Sequence, residues 1–441
     1  MLNLFLKLGK NKMKKFLKDN YPILIVLCIS LILHIFALVE LGINYNILSD
    51  DLSYVQSGVT FAFEHKITMH GVLSAQIMPG MPIFIGVFAL IFGNGLYFML
   101  SLKIFWILMG IMTIFISYKI LRLFTNKFIA AIPCLFFLSP EYIWMNNLTL
   151  TETPYIFLAI LTLYYTFKYV SCKNNKYYIL MTIFYTISIF IRPVLLIYPL
   201  FVLIYLLLKK YSFEESLKKV LIMVIPLIVL LVPWTYRNYK VFHKFIPLTY
   251  GAGNPILMGT YQGYDYPDDN TIDYSASYES LPKEMRYYLE NPNEKDYMTK
   301  YYSLKYDEIK ASIRQGIWWQ NNKISMIKTY LIYKPYKTIY NIFYWQEILG
   351  IKTFLVRIFR QIEIVLFGLS IIFILINKTR KKELLFIFLL YFSQIVTYAY
   401  GYAFERYAFS TFFLRYIVIG IGLDILYNWL KQNNYRKVEN D

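Results

Sequence analysis

The sequence is poor in charged residues, in cysteine and in histidine. Aspartate, glutamate, lysine and arginine supply only 16% of its 441 residues, whereas soluble domains carry about 25%. The three cysteines, Cys28, Cys134 and Cys172, have no metal-binding spacing and give no disulfide framework. The four histidines form no His-x-x-x-His or His-Glu-x-x-His pattern, and no Walker loop is present. These absences argue against a disulfide-rich fold, a zinc enzyme and a soluble nucleotide-binding fold.

The sequence contains long apolar runs without charged residues. Hydrophobic residues make up 58% of the chain, and runs such as 21–39 and 178–191 hold no Asp, Glu, Lys or Arg. A helix of about 20 apolar residues crosses the lipid core of a membrane. The sequence therefore predicts an all-α polytopic membrane protein with about ten transmembrane helices. We expect these spans at 21–43, 96–118, 128–144, 153–170, 177–192, 193–208, 218–236, 361–377, 383–400 and 408–430.

The net charge of +18 is distributed unevenly along the chain. Lysine and arginine concentrate near both termini and in every second loop, whereas the short segments on the opposite side hold only Lys66, Arg192 and Arg406. By the positive-inside rule, this pattern predicts a multi-pass plasma-membrane protein with both termini in the cytoplasm, and no nucleic-acid partner. The first apolar run, 21–43, exceeds the roughly 7–15 residues of a signal-peptide core, so we expect an uncleaved span.

Two segments on the outer side of the membrane are long enough to carry function. In the first, an amphipathic pattern at 54–64 predicts a helix along the interface, and the short apolar run at 83–92 predicts a half-inserted helix. The second is polar, rich in tyrosine and too long for a plain loop. We therefore divide the chain into an N-terminal transmembrane bundle (1–236) with a catalytic outer loop (44–95), an extracytoplasmic segment (237–360), and C-terminal transmembrane helices with a cytoplasmic tail (361–441).

Two groups of carboxylates lie at the predicted outer ends of spans. Asp50 and Asp51 follow the first span, where carboxylates are costly to desolvate unless they are used or paired. One of them can act as a general base, and either can hold a cation. The alternative is that they cap the next helix. Glu152 begins the fourth span, where it either sits favourably at a helix N-terminus or supplies another carboxylate on the same side as Asp50.

Three arginines also fall at outer span ends, namely Arg192, Arg237 and Arg406. Guanidinium groups match phosphate oxygens, so the three together beside carboxylates favour a polyanionic lipid headgroup. Snorkelling to the interface is the alternative for each one alone. Arg415 lies within the last span, and it marks either a functional site or a structural pair with a carboxylate such as Glu363.

Several short motifs follow one another in a fixed order over about residues 20–425. They are Asp50-Asp51 with Tyr54, Pro79-Gly80-x-Pro82 ahead of Phe92-Gly93, Pro140 before Thr151-Glu152, Arg192-Pro193, Pro233-Trp234-x-x-Arg237-Asn238-Tyr239 leading into Gly251–Gly259, and Glu405-Arg406-Tyr407. This ordered set resembles the GT-C superfamily of polyprenyl-phosphate-sugar-dependent glycosyltransferases. The likeness is greatest to the branch of protein O-mannosyltransferases and lipid A aminoarabinose transferases.

The resemblance implies a GT-C-type helical bundle and an inverting sugar transfer from a lipid-phosphate donor. It implies that Asp50, next to Asp51, is the general base and that Glu152 is the acidic residue of the next outer loop. The outer-end arginines, Arg192, Arg237 and Arg406, would bind the donor phosphate. Aminoarabinose transferases carry a Lys-Pro-Pro-like run where this chain has Met78-Pro79-Gly80. Either Lys66 or Lys103 would therefore replace the missing lysine, or no lysine does.

The physical chemistry agrees with this function, because a nucleotide sugar cannot cross the membrane and outer-face transfer needs a lipid-borne donor. The departing phosphate is already a good anion, so it needs nearby cations more than an acid. No cofactor is expected, although a divalent cation held by Asp50 and Glu152 stays open. The acceptor stays open among protein, lipid and glycan. The alternatives are a transporter or flippase, or a polymerase or ligase, for lipid-linked glycans of the cell envelope.

Overall fold

A computed structural model describes residues 2–438 of the chain and the side chains of residues 13–432. This part is almost entirely helical. Its first half holds α1 (Leu2–Leu41), α2 (Asp50–Glu64), β1 (Thr68–Met69), β2 (Val72–Leu73), α3 (Gly80–Phe92), α4 (Leu96–Leu121), α5 (Lys127–Ala131), a 3₁₀ helix (Pro133–Leu138), α6 (Pro140–Met145), α7 (Glu152–Cys172), α8 (Asn175–Ile191), a 3₁₀ helix (Pro193–Leu195), α9 (Tyr198–Leu208) and α10 (Phe213–Phe242). The second half holds α11 (Gly253–Gly259), a 3₁₀ helix (Asp269–Thr271), α12 (Ser275–Glu279), α13 (Lys283–Glu290), α14 (Tyr297–Asn321), α15 (Lys323–Lys328), a π-helix (Thr329–Tyr333), α16 (Lys334–Tyr340), α17 (Thr353–Ile376), α18 (Lys381–Tyr400), α19 (Glu405–Phe409) and α20 (Phe412–Val438).

Seven helices among the described residues are long and apolar enough to cross a membrane. They are Met13–Leu41 within α1, then α4, α7, α10, α17 and α18, and finally Glu405–Gln432, which joins α19 to α20. Helix α8 has 17 residues and α9 has only 11, so both are shorter than the usual span of about 20 residues. The predicted all-α polytopic membrane protein is confirmed, whereas the number of about ten spans is not.

The segment 128–144 differs from the single span that the sequence predicts. It is divided among α5, a 3₁₀ helix and α6. Pro133 and Pro140 stand at the start of the second and third pieces, and neither has a backbone N–H with which to continue a helix. The side chain of Ser139 accepts a hydrogen bond from the amide of Tyr142 at 3.3 Å and caps α6. Hydropathy alone does not register these breaks.

Outer loop 1, residues 44–95, contains the two predicted helices as α2 and α3. They pack at close range: a Cβ atom at Gly58 would lie 2.3 Å from Cγ2 of Ile85. Between the helices, β1 and β2 form a hairpin with antiparallel pairing. Its two turn residues, His70 and Gly71, have φ angles of +52° and +77°, as a tight two-residue hairpin turn requires. This turn holds His70 beside the start of α2.

The outer segment, residues 237–360, has structure of its own, with α14 as its longest helix. One buried apolar cluster joins this segment to outer loop 1. It contains Phe242 of α10, Tyr250 of the following loop and Tyr301 of α14, together with Ile67 and Ala75 of outer loop 1. The amide of Tyr250 donates to the carbonyl of Ala75 at 3.1 Å. The outer segment is thereby attached directly to the loop that carries Asp50.

Four charged side chains lie buried where α6, α17 and α20 meet. Arg360 contacts Glu141 at 2.6 Å and Glu363 at 3.1 Å, and Arg415 contacts Glu363 at 2.8 Å. None of the four is more than 3% exposed. Such charges are tolerated inside a bundle only when they are paired. Of the two interpretations of Arg415, the geometry favours the structural pair with Glu363.

Candidate active site

A cavity of about 660 Å³ lies where outer loop 1, the outer segment and the ends of several spans meet. Outer loop 1 and the span ends supply one part of its lining, which we call the floor, and the outer segment supplies another part. Polar and aromatic side chains dominate the lining, as in sites that orient a substrate through a few polar groups. The lining includes Asp50, Tyr54, His70, Gln76, Arg192, Thr249, Asn254, Lys300, Ser303, Asp307, Tyr398, Tyr402, Arg406 and Tyr407.

Asp50 is the first residue of α2, and its carboxylate faces this cavity. Its Oδ2 accepts a hydrogen bond from Nη2 of Arg406 at 2.8 Å. Its Oδ1 lies 4.0 Å from Nε2 of His70. The side chain is 27% exposed. One carboxylate oxygen is thus held by an arginine, and the other is open to a ligand and to His70.

A continuous chain of charges runs from Asp50 into the protein. Arg406 contacts both Asp50, at 2.8 Å, and Glu152, at 3.0 Å. Glu152 is fully buried at the start of α7 and also accepts from Nη1 of Arg192 at 2.8 Å. Two carboxylates and two guanidinium groups balance one another, which offsets the large cost of burying each charge alone. The sequence places these four residues at one face, and the structure brings them into contact.

Aromatic rings surround the arginines of this chain. The guanidinium carbon of Arg192 lies 5.4–5.9 Å from the ring centres of Tyr155, Tyr398 and Tyr407. Cation–π contacts of this kind hold a guanidinium in a fixed orientation while keeping water away from one face. Burial, together with the nearby Asp50, raises the pKa of Tyr54 well above its usual range. Its hydroxyl therefore stays protonated and available as a donor.

Asp51, the second predicted carboxylate, does not line the cavity. It is 1% exposed, and its oxygens accept from the backbone amides of Ile47, Ser49 and Leu52 at 2.8–3.2 Å. These bonds fix the turn between α1 and α2. The structure thus separates the two adjacent aspartates: Asp50 faces the cavity and Asp51 shapes the backbone behind it.

Arg237 also lies away from the cavity lining. It donates to the carbonyl oxygens of Ser74 at 2.9 Å and Ile67 at 3.4 Å, and its guanidinium stacks on the ring of Trp234. In this structure, Arg237 attaches α10 to outer loop 1.

Neither predicted substitute for the missing lysine reaches the cavity. Lys66 is 59% exposed and pairs with Glu64 at 3.1 Å. Lys103 is buried in α4, where its Nζ donates to the carbonyl oxygens of Tyr45 at 2.7 Å and Asn147 at 2.5 Å. The lysine that does line the cavity is Lys300, which comes from the outer segment.

Sequence reasoning missed His70 and its partner. Nδ1 of His70 lies 2.8 Å from Oγ of Ser53 on α2. That bond orients the ring so that its other nitrogen points toward Asp50. A lone histidine carries no metal-binding pattern, so only the His70-Gly71 pair between two short β-prone stretches could have signalled a turn here.

The charges of this site do not fit a divalent cation well. Arginines contact Oδ2 of Asp50 and Oε1 of Glu152, and the remaining oxygen of Glu152, Oε2, accepts from the hydroxyl of Thr151 at 3.4 Å in the buried interior. Among the residues that the structure describes, no group of three or more His, Cys, Asp or Glu side chains is placed to hold a metal ion. We therefore derive no step through a metal.

One family model matches part of the chain, and several solved structures resemble its fold. Residues 76–236 match the family model described as dolichyl-phosphate-mannose-protein mannosyltransferase. This range includes Glu152 and Arg192 but neither Asp50 nor Arg406. No curated protein matches the chain.

Among solved structures, ArnT from Cupriavidus metallidurans, bound to undecaprenyl phosphate, is 13% identical with a TM-score of 0.42, over 90% of this chain and 77% of that protein. The archaeal oligosaccharyltransferase AglB from Archaeoglobus fulgidus, in complex with an inhibitory peptide and a dolichol-phosphate, is 12% identical with a TM-score of 0.54. That alignment covers 97% of this chain and 52% of the archaeal protein, so the chain spans about half its length. Residues 76–236 thus match a mannosyltransferase family model, and the chain as a whole has a fold like that of the archaeal enzyme.

Proposed function

We propose that the protein is an inverting glycosyltransferase that moves a sugar from a polyprenyl-phosphate donor to an acceptor at the outer face of the membrane. The observation that carries the proposal is the buried chain of charges Asp50–Arg406–Glu152–Arg192 on the floor of the cavity. It combines one carboxylate oxygen that is open to an acceptor with two guanidinium groups that are open to a phosphate. Those are the two functions that this reaction needs.

Two observations support a polyprenyl-phosphate donor. They are the family model that matches residues 76–236 and the guanidinium nitrogens that remain available in the cavity. The matching family is described by a dolichyl-phosphate sugar, and the archaeal enzyme of similar fold holds a dolichol-phosphate. Arg192 uses Nη1 for Glu152, and Arg406 uses Nη2 and Nε for its two carboxylates. Nη2 of Arg192 and Nη1 of Arg406 remain for phosphate oxygens. The distribution of lysine and arginine along the sequence supports a cavity on the extracytoplasmic side.

Asp50 is the general base of the proposed reaction. Its Oδ1 takes the proton of the acceptor while the acceptor atom bonds to the anomeric carbon. The bond from that carbon to the phosphate oxygen breaks, and its electron pair stays on the phosphate, next to Arg192 and Arg406. The proton then leaves Oδ1 for solvent, to which the Asp50 side chain is 27% exposed, and the His70 ring borders this exit with Nε2 4.0 Å from Oδ1. Because Arg406 holds Oδ2 in place, Oδ1 stays directed into the cavity.

The transporter alternative has less support. A transporter places ionisable groups along its pathway near the middle of the membrane. Here the deep charges, including Glu363 and Arg415, pair with one another and lie outside the lining of the large cavity.

The test is transfer of radiolabelled sugar from a panel of polyprenyl-phosphate sugars, in membranes that contain the wild type, Asp50→Asn or Glu64→Gln. Glu64 lies at the other end of α2 and is 56% exposed, so it is a matched control. We expect Asp50→Asn to lose about 10²- to 10⁴-fold in rate, as for other general bases, at unchanged expression, and Glu64→Gln to behave as the wild type. Full transfer by Asp50→Asn would remove Asp50 from this role. Absence of transfer from every donor by the wild type would refute the enzyme itself. The anomeric configuration of the product tests inversion.

A further inference from the structure

One part of the cavity lining is built by residues 249–255 and by α14. We call these two stretches the roof. Both lie outside the residues that match the family model, which end at 236. The roof side chains that line the cavity include Thr249, Asn254, Lys300, Ser303 and Asp307.

Two glycines fix the roof relative to the floor. A Cβ atom at Gly251 would lie 2.7 Å from the carbonyl oxygen of Gln76 in outer loop 1, and one at Gly253 would lie 1.9 Å from the carbonyl oxygen of Leu304 in α14. Backbones can approach this closely only where no side chain intervenes. The roof is therefore a prebuilt part of the cavity, held both to the loop of Asp50 and to α14.

The chemistry of the roof differs from that of the floor. Asn254 and Ser303 are exposed, and both can donate and accept hydrogen bonds. Lys300 has no carboxylate within 4 Å among the described side chains. Asp307 is 14% exposed and pairs with Lys310 at 2.9 Å. The floor thus presents two guanidinium groups, whereas the roof presents the neutral Asn254 and Ser303 beside one ammonium group, Lys300, and one paired carboxylate, Asp307.

We propose that the roof is the acceptor subsite and that the acceptor is a hydroxyl-rich carbohydrate. This inference depends on the proposed glycosyltransfer. Closely spaced donors and acceptors match the alternating hydroxyl groups of a sugar ring, and the ring of Tyr402 borders the same cavity. The acyl chains of a lipid acceptor offer no hydrogen-bond partners to these polar groups. Between residues 249 and 321 the structure has no β-strand whose edge could bind an extended peptide.

The test compares Asn254→Ala and Lys300→Gln with Lys305→Gln, a matched control on α14 whose side chain pairs with Glu308 and does not line the cavity. Transfer is measured with three acceptor panels, namely short oligosaccharides, hydroxyl-containing peptides and lipids. We expect activity with oligosaccharides. We expect both roof variants to raise the acceptor KM about tenfold, as the loss of a substrate hydrogen bond does, with an unchanged donor KM.

A second measurement separates the subsite from the proposed function. Polyprenyl phosphate without a sugar is added to detergent-solubilised protein, and the shift in unfolding temperature is recorded. Equal shifts for the wild type and both roof variants support a roof that does not bind the donor. A raised donor KM or a smaller lipid shift in Lys300→Gln would overturn the inference, because the roof would then bind the donor phosphate. A preference for peptide or lipid acceptors would overturn the carbohydrate class. A wild type with neither transfer nor a lipid shift would overturn the proposed function itself.

Discussion

Removal of the charge of Glu152 tests the buried chain of charges directly. Glu152 is fully buried and contacts Arg192 at 2.8 Å and Arg406 at 3.0 Å. Glu152→Gln keeps the shape of the side chain and one acceptor oxygen but leaves two guanidinium groups facing a single remaining carboxylate, Asp50. Removing one partner of a buried ion pair destabilises a protein by about 3–5 kcal/mol. We expect the free energy of unfolding of Glu152→Gln to fall by about that amount.

A double variant gives the sharpest control for this magnitude. Glu152→Gln/Arg192→Gln restores the charge balance, because Arg406 still pairs with Asp50. We therefore expect the double variant to be more stable than Glu152→Gln alone, with a coupling energy within the roughly 0.5–3 kcal/mol range of contacting residues. The donor KM should rise in both variants, because Glu152→Gln removes the carboxylate that positions Arg192 and Arg406, and the double variant lacks Arg192 altogether.

The assay is unfolding of the detergent-solubilised protein, followed by tryptophan fluorescence, with transfer activity measured on the same samples. Arg357→Gln serves as the control for loss of an arginine, because Arg357 is exposed at the start of α17 and outside the cavity. If Glu152→Gln unfolds within about 0.5 kcal/mol of the wild type, the size of an ordinary surface substitution, the pairing described here is not what stabilises the site. A double variant less stable than the single one would also contradict the reasoning.

Three further predictions concern the roof, the deep charges and one buried lysine. Gly253→Ala places a Cβ atom 1.9 Å from the carbonyl oxygen of Leu304, so it should displace the roof and reduce transfer, whereas Gly316→Ala, with nothing within 4 Å, should retain wild-type transfer. Glu363→Gln leaves two buried arginines without their shared carboxylate and should lower the free energy of unfolding by about 3–5 kcal/mol with an unchanged donor KM. Burial lowers the pKa of Lys334 from 10.5 to about 7. The unfolded chain therefore binds more protons between these values, and stability should rise with pH across that window. Unfolding measured over this pH range should show a smaller rise in Lys334→Met, and an identical rise would contradict the burial of this lysine.

Local patterns predicted well those features that depend on neighbours in the chain. The helices of outer loop 1 follow from apolar spacing, and α2 and α3 lie where 54–64 and 83–92 indicated. The resemblance inferred from the order of short motifs is supported by the family model that matches residues 76–236 and by the similar fold of the archaeal enzyme. The single span predicted at 128–144 is wrong. Hydropathy averages over residues and does not register two prolines that interrupt backbone hydrogen bonding.

The role of each charged residue depends on the direction in which its side chain points, and the sequence does not contain that information. Asp50 and Asp51 are adjacent, and successive side chains at a helix start point about 100° apart. One therefore reaches Arg406 and the other binds backbone amides. Likewise, Arg237 resembles Arg192 in its position at a span end, yet it donates to carbonyl oxygens of outer loop 1.

The sequence by itself determined that the chain is a helical membrane protein, because hydropathy and charge act locally and add along the chain. Its ordered motifs also indicated the family whose model matches residues 76–236. Only the tertiary structure decided that Asp50, Glu152, Arg192 and Arg406 form one chain of charges, that His70 faces Asp50, and that the outer segment closes the cavity. These contacts join residues as far apart as 50 and 406. Their distances depend on the packing of helices against one another, which no local pattern encodes.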